Sequence, residues 1–286
     1  MRILVLGISG MLGHTAFGLL GRLPDVEVFG TARSEGARAR LDPSLRQNVI
    51  VGVDVLDQDA LLGALARVRP DVVLNCVGLI KQLDNANDPL AALPLNALFP
   101  HRLRRACELL GARLIHISTD CVFSGAKGNY RESDIPDATD LYGRSKLLGE
   151  VAEKNSITLR TSIIGRELSG NNGLVEWFLS QKGDVRGFTK AIFSGFTTDE
   201  LVRLIVQHVL PNPQLSGLWH VSSEAIAKHD LLTLVRDVYG TDVQIKPDDT
   251  LKIDRSLNSD RFRVETGYSP PTWAQMITAM RNLEVN

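Results

Sequence analysis

Apolar and polar positions along this chain follow two distinct periods. Short, mainly apolar runs recur at Ile3 to Leu6, Val26 to Thr31, Val49 to Val53, Asp71 to Asn75 and Arg113 to Ser118. Runs of this kind predict strands buried on both faces. Between them, apolar residues return every three or four positions, as on one face of a helix. Those stretches are Met11 to Arg22, Gln58 to Val68, Ala97 to Leu110 and a segment beginning near Leu141. Strands alternating with helices predict an α/β fold whose parallel sheet is doubly wound and covered on both faces. The second half is less regular. Ile157 to Thr161 and Leu218 to Val221 read as strands. Leu174 to Gln181, Thr198 to Val209, Lys228 to Tyr239 and Trp273 to Asn282 read as helices, and Gln244 to Arg263 is polar throughout. No linker rich in Gly, Ser or Pro separates the halves. The expected organisation is a sheet domain over residues 1–165, with 198–222 returning to it, and a smaller C-terminal lobe over 166–286.

Composition narrows the picture. The 286 residues are 44% hydrophobic and 23% charged, with a formal charge of −1. That balance gives no global electrostatic case for nucleic acid or an anionic membrane as partner. The three cysteines, Cys76, Cys107 and Cys121, form no CxxC pair and no zinc-ligand spacing. Reduced thiols and no metal site are expected. The apolar opening is too short for a signal peptide, and no run of about 20 apolar residues occurs. A cytoplasmic location is the expectation.

Candidate chemistry begins where the first strand meets the first helix. Gly7-Ile8-Ser9-Gly10-Met11-Leu12-Gly13 reads GxxGxxG. One glycine permits the tight turn, one lets a pyrophosphate approach the backbone, and one lets helix pack close to sheet. The helix N-terminus adds free N–H groups and a positive dipole. Gly7, Ser9, Gly10, Met11, Leu12 and Gly13 are thus the expected dinucleotide loop of a Rossmann-type sheet. A free ribose 2′-hydroxyl calls for an acid at the end of the second strand. The sequence there is Gly30-Thr31-Ala32-Arg33-Ser34. Arg33 suits a 2′-phosphate instead, so Arg33 and Ser34 point to NADPH, with NADH left open. Asp54 and Val55 follow the third strand and are placed for the adenine edge. Asp54 is equally suited to cap a helix start.

Tyr142-Gly143-Arg144-Ser145-Lys146 reads YxxxK. On a helix, residues four apart share a face, which sets the lysine ammonium near the phenol. A neighbouring cation is expected to lower the phenol pKa from about 10 and make it a usable acid. Ile117-Ser118-Thr119-Asp120 ends the fifth strand, at the sheet edge where ligands bind. Either Ser118 or Thr119 is placed to hydrogen-bond a substrate carbonyl held against Tyr142.

Taken together, Gly7 to Gly13, Ser118-Thr119-Asp120-Cys121-Val122-Phe123-Ser124-Gly125 and Tyr142-Gly143-Arg144-Ser145-Lys146-Leu147-Leu148-Gly149-Glu150 resemble the dTDP-4-dehydrorhamnose reductase family of extended short-chain dehydrogenases. The resemblance continues through Leu159 to Ser162, Gly217 to Val221 and Asp254 to Phe262. It implies NADPH-dependent reduction of a nucleotide-linked 4-keto-6-deoxysugar, as in dTDP-L-rhamnose biosynthesis. The implied triad is Thr119, Tyr142 and Lys146. Asn75, Cys76, Val77, Gly78 and Ser118 are implied beside the cofactor, with Asn96 in support. Asp120, Cys121, Arg255 and Ser256 are implied near the sugar, the last two from a substrate-binding C-terminal lobe. Trp177 is expected at the pocket rim. Cys121 stands where the family usually has Tyr, and Asp254-Arg255 where it commonly has Arg-Pro. Lys81 at the pocket mouth is placed for a diphosphate, an N-acetyl or uronate group, or only solvent. A UDP-2-acetamido-2,6-dideoxy-hexos-4-ulose reductase is therefore the near alternative. A sugar-nucleotide epimerase or dehydratase and a non-catalytic NADP-binding regulatory subunit are the distant ones. A homodimer is left open.

Overall fold

The computed structural model describes residues 1–81 and 84–285, and the side chains of all of these except residues 84, 85, 284 and 285. The first strand, β1 (Arg2–Leu6), is at most 1% exposed from Ile3 to Leu6. An apolar run without alternation needs cover on both faces, and it has it. Then follow α1 (Met11–Leu20), β2 (Glu27–Ala32), α2 (Glu35–Ala39), β3 (Val49–Val51), α3 (Gln58–Val68) and β4 (Val72–Asn75). Asp57 starts α3 by accepting from the N–H groups of Asp59 and Ala60. α4 (Pro89–Ala92) runs through a π-helical stretch, Leu93–Leu98, into α5 (Phe99–Leu110). The apolar pattern placed this helix start at Ala97. The wider turn breaks the 3.6-residue phase, so the earlier part is invisible to periodicity. β5 (Arg113–Thr119), α6 (Leu141–Leu148) and β6 (Ser156–Thr161) complete the first half.

β7 (Ile163–Ile164), α7 (Leu174–Leu179), β8 (Asp184–Phe188), β9 (Ala191–Phe193) and β10 (Phe196–Thr197) come next. α8 (Thr198–Leu204) continues as a π-helical turn to Val209. β11 (Gly217–His220) then pairs in parallel with β6. The chain ends with β12 (Ile226–Ala227), α9 (Lys228–Tyr239), β13 (Gln244–Asp248), β14 (Ile253–Asp254), α10 (Asp260–Thr266) and α11 (Trp273–Val285).

Seven parallel strands form the main sheet in the order β11-β6-β5-β4-β1-β2-β3. This is the doubly wound α/β sheet that the alternating pattern predicts. The winding reverses between β1 and β4, and that reversal opens a crevice at their C-terminal ends. Small sheets, β12-β9-β14 and β13-β8, build the smaller lobe. The larger apolar core runs from Phe17 and Leu20 beneath the sheet to Phe178, Phe262 and Trp273 in the lobe. A shared core explains why no linker shows in the sequence. The polar stretch Gln244 to Arg263 holds β13, β14 and α10. β13 is half-exposed or exposed along its whole length, so it carries no apolar signal. Among the described residues, no helix is long and apolar enough to cross a membrane.

Candidate active site

The crevice is floored by the glycine loop. Gly7 sits at φ +81°, a conformation that favours glycine. A Cβ on Gly13 would lie 2.1 Å from the Gly7 carbonyl oxygen, so only glycine lets α1 start this close to the strand end. Gly10 is the N-cap of α1 and makes no side-chain cap, and the first turn carries no acid. Its N–H groups and dipole therefore suit an anion. Ser9 and Gly10 are exposed at the turn, while Leu12 is buried in the core and so serves the loop through its backbone. Met11 reaches the lobe, where a Cβ on Gly173 would meet its Cε at 2.5 Å.

The remaining expected cofactor residues ring the same sheet edge. Arg33 is exposed just beyond β2, and Ser34 is exposed at the N-cap of α2. Asp54 accepts the Leu56 N–H at 2.9 Å, and Asp57, not Asp54, caps α3. Val55 packs half-buried against the core on that side. After β4, the Val77 N–H donates to Asn75 Oδ1 at 3.1 Å, and Val77 Cγ2 closes over Gly7. Burial pushes the Cys76 thiol up to about 12, against the pull of Lys146, so it stays a neutral lining group. Buried Asn96 clamps the next segment. Its Oδ1 accepts the Leu79 N–H at 2.8 Å, and its Nδ2 donates to Ser145 Oγ at 3.2 Å. A Cβ on Gly78 would touch both Asn96 and Lys146 Nζ. These contacts tie the β4 loop to α6. A cradle built of glycines, free N–H groups and an exposed Arg33 fits a phosphorylated dinucleotide.

Asp140 caps α6 by accepting the Gly143 N–H at 2.8 Å. Tyr142 stands in the first turn, and Lys146 follows one turn later at 5% exposure. The Lys146 ammonium donates to the Ile117 carbonyl at 2.9 Å. Burial lowers its pKa to about 8, with Glu150 and Cys76 opposing. The phenol of Tyr142 does not follow the expected direction. Burial raises its pKa above the usual 10, the Cys121 thiol adds to the rise, and the Thr119 side chain opposes it. The ammonium is turned to the Ile117 carbonyl, and loss of water outweighs any help it gives the phenolate. Tyr142 therefore holds its proton through neutrality, which suits a proton donor. The lysine is the group that titrates nearer to neutrality. If its charge is required, kcat/KM falls as pH rises through about 8, and a pH profile checks this.

Thr119 lies beside the phenol, accepts the Cys121 N–H at 3.1 Å and points its hydroxyl toward Asp120 at 3.4 Å. The neighbouring Ser118 hydroxyl turns into the protein and donates to Glu150 at 2.7 Å. Of the two hydroxyls left open by the sequence, that of Thr119 is the one beside the phenol, while that of Ser118 is engaged by Glu150. Asp120 is buried, and burial lifts its carboxyl to about 6 against the pull of Cys121, Arg255, Thr119 and Lys228. Cys121 is half-buried, with its thiol raised to about 12.

Lys81 pairs with Asp140 at 3.0 Å, so it joins the β4 loop to the start of α6. Arg255 donates to the Phe123 carbonyl at 2.8 Å, and its charge acts on Asp120, Asp137 and Asp140. Ser256 is spent on the scaffold: its hydroxyl donates to Asp254 and accepts the Asn129 N–H. Trp177 is 37% exposed on α7. Sequence reading missed Asp140, Glu150 and Lys228. The first two were detectable as a cap two residues before the tyrosine and a carboxylate four after the lysine. Lys228 had no local signal, because only the fold brings α9 near Asp120. Among the described residues, no cluster of three His, Cys, Asp or Glu is placed for a metal.

Fold and site together define an α/β protein suited to a dinucleotide, with a tyrosine–lysine pair on α6 beside the ends of β4 and β5. The chain belongs to the RmlD substrate binding domain family, whose model matches residues 1–282. The resemblance to the dTDP-4-dehydrorhamnose reductase family of extended short-chain dehydrogenases is thereby borne out. A dTDP-4-dehydrorhamnose reductase of Streptomyces griseus is 35% identical over 152 residues, which is 53% of this chain and 44% of that protein. Methionine adenosyltransferase 2 subunit beta of Bos taurus is 26% identical over 259 residues, covering 83% of this chain and 72% of that one. A solved structure, a hypothetical dTDP-4-dehydrorhamnose reductase from Sulfolobus tokodaii, superposes with a TM-score of 0.77. It is 27% identical, with 96% of this chain and 98% of that one covered.

Proposed function

We propose that this chain is an NADPH-dependent reductase of a nucleotide-linked 4-keto-6-deoxysugar, with dTDP-4-dehydrorhamnose as substrate. One observation carries the reading: Thr119 at the end of β5 meets the phenol of Tyr142 on α6, and Lys146 lies one turn on beside the β4 loop. The family, the glycine cradle and exposed Arg33 support it. When bound, NADPH supplies the hydride. The protein supplies geometry and charge. Thr119 orients the ketone oxygen, and Tyr142 donates its proton to the alkoxide. Lys146 holds positive charge beneath the site. Residues 166–286, less the returning strand region 198–222, form the sugar-binding lobe. Arg255 of the lobe, together with Asp120 and Cys121 just after β5, meets the substrate. The same reading covers a cytoplasmic location and a homodimer, which fractionation and sedimentation respectively test.

The deciding experiment is a panel of dTDP- and UDP-linked 4-ketosugars incubated with NADPH. Stoichiometric NADPH consumption with the dTDP substrate is expected. Turnover of the UDP 2-acetamido compounds alone would move the substrate to that branch. Product formed without net NADPH consumption would mean an epimerase or dehydratase. The similarity to methionine adenosyltransferase 2 subunit beta favours one other reading, a non-catalytic subunit, for which NADP(H) would bind without turnover of any sugar. Arg33→Ala is expected to raise the KM for NADPH about 10- to 100-fold, the worth of a charge-assisted phosphate bond. Its KM for NADH should hardly move, and equal effects on both cofactors would remove Arg33 from the 2′-phosphate.

A further inference from the structure

Behind the pocket lies a buried ion pair that the mechanism above does not use. The Glu150 carboxylate is 9% exposed and the Arg160 side chain 4%. Arg160 Nε and Nη2 each donate to a different Glu150 oxygen at 2.7 Å, a two-point clamp. The third nitrogen of Arg160 meets His220 Nε2 at 3.2 Å, and the guanidinium lies over the Phe123 ring. The Glu150 oxygen that accepts from Arg160 Nε also accepts the Ser118 hydroxyl at 2.7 Å. Thus α6, β5, β6 and β11 converge on one carboxylate. It stands four residues after Lys146 and bonds the residue next to Thr119.

We infer that Glu150 is a positioning residue of the active site. Held by Arg160, its carboxylate fixes the strand end that presents Thr119 and keeps the Lys146 side chain in its charged form. This rests on the reductase reading above. A buried ammonium needs a compensating anion. The groups that act on Lys146 are the Glu150 carboxylate, the Cys76 thiol and the His116 imidazole. The thiol is neutral, because burial raises it to about 12. The imidazole is neutral, because burial lowers it well below 6.5. Glu150 is therefore the one full negative charge among them. Removing it would also leave Arg160 uncompensated behind the lysine, and both changes disfavour the ammonium.

The test compares Glu150→Gln with Glu150→Asp. In Glu150→Gln, the alkaline fall of kcat/KM is expected at least about one pH unit below its wild-type position. Glu150→Asp keeps the charge and is expected to restore that position, though with lowered kcat. A reading without cofactor or substrate runs alongside. Between the folded pKa of Lys146, about 8, and its unfolded value near 10.5, the unfolded chain binds the extra proton. Wild-type stability in urea gains from Lys146 as pH rises through that window. The wild-type-minus-variant difference should show that gain starting at lower pH in Glu150→Gln. The urea reading stands even if no sugar is turned over, so a wrong reaction and a wrong role for Glu150 are told apart. A folded Glu150→Gln with neither profile moved would overturn the inference. Ser118→Ala, which spares the ion pair, covers failure of the amide to fold. A fall in kcat of about tenfold is expected, and wild-type kcat would overturn the proposal.

Discussion

Tyr142→Phe lowers kcat about 10²- to 10⁴-fold, the usual worth of a positioned general acid, while NADPH binding stays near wild type. The substitution removes one oxygen from a half-buried ring on a helix capped by Asp140. The phenol's hydrogen bond with the Thr119 side chain is lost, which costs about 1 kcal/mol of stability, so the melting temperature should fall only slightly. Steady-state kinetics with a ketosugar and a fluorescence titration with NADPH separate the two effects. The phenol pKa is raised, chiefly by burial, so the acid is fully loaded at neutral pH. Its loss therefore costs the whole proton-transfer contribution, not a fraction of it. A variant that keeps wild-type turnover would place the acid elsewhere, with Asp120 the nearest candidate.

The second large effect is Gly13→Ala. The added Cβ would meet the Gly7 carbonyl oxygen at 2.1 Å, its carbon at 2.7 Å and Ile8 Cα at 3.0 Å. All three are backbone atoms, so the loop must move away. Overpacking of this kind costs about 1–3 kcal/mol of stability. The displaced loop also loses several hydrogen bonds to phosphate, each worth about 1.5–3 kcal/mol. Dinucleotide affinity is expected to fall at least about a hundredfold in the fluorescence titration. Gly18→Ala in the same helix is the control. Nothing lies within 4 Å of its added Cβ, so it should stabilise by up to about 1 kcal/mol. If Gly13→Ala bound NADPH like the control, the loop would not be the cradle.

Much of this arrangement could be read before any coordinates. Buried parallel strands announce themselves as unalternating apolar runs, and β1 and the Val72-Val73-Leu74 stretch of β4 do so. Helices α3 and α9 carry a full 3.6-residue period, and both lie where periodicity puts them, at Gln58–Val68 and Lys228–Tyr239. Glycine and YxxxK spacings are local, so Gly7 to Gly13 and Tyr142 to Lys146 could be placed on their elements. Three things were not local. The Lys146 ammonium was expected to pull the phenol down, but a carbonyl on a neighbouring strand takes it, and burial sets both groups. Ser118 and Thr119 are adjacent and equivalent in sequence, and only the position of Glu150 separates their roles. Strands β9, β12 and β14 are only two or three residues long, too short to show a period, and β8 carries Asp184 and Arg186 among its five residues.

The central claim is that reducing equivalents pass from NADPH to the keto carbon of a nucleotide sugar at Tyr142. It is tested most directly with NADPH deuterated at the transferring position. Mass spectrometry of the product should find one deuterium on the former carbonyl carbon, with one NADPH consumed per sugar and no transfer in Tyr142→Phe. Reduced sugar without deuterium, or no reduced product from any dTDP- or UDP-linked 4-ketosugar, would contradict the claim.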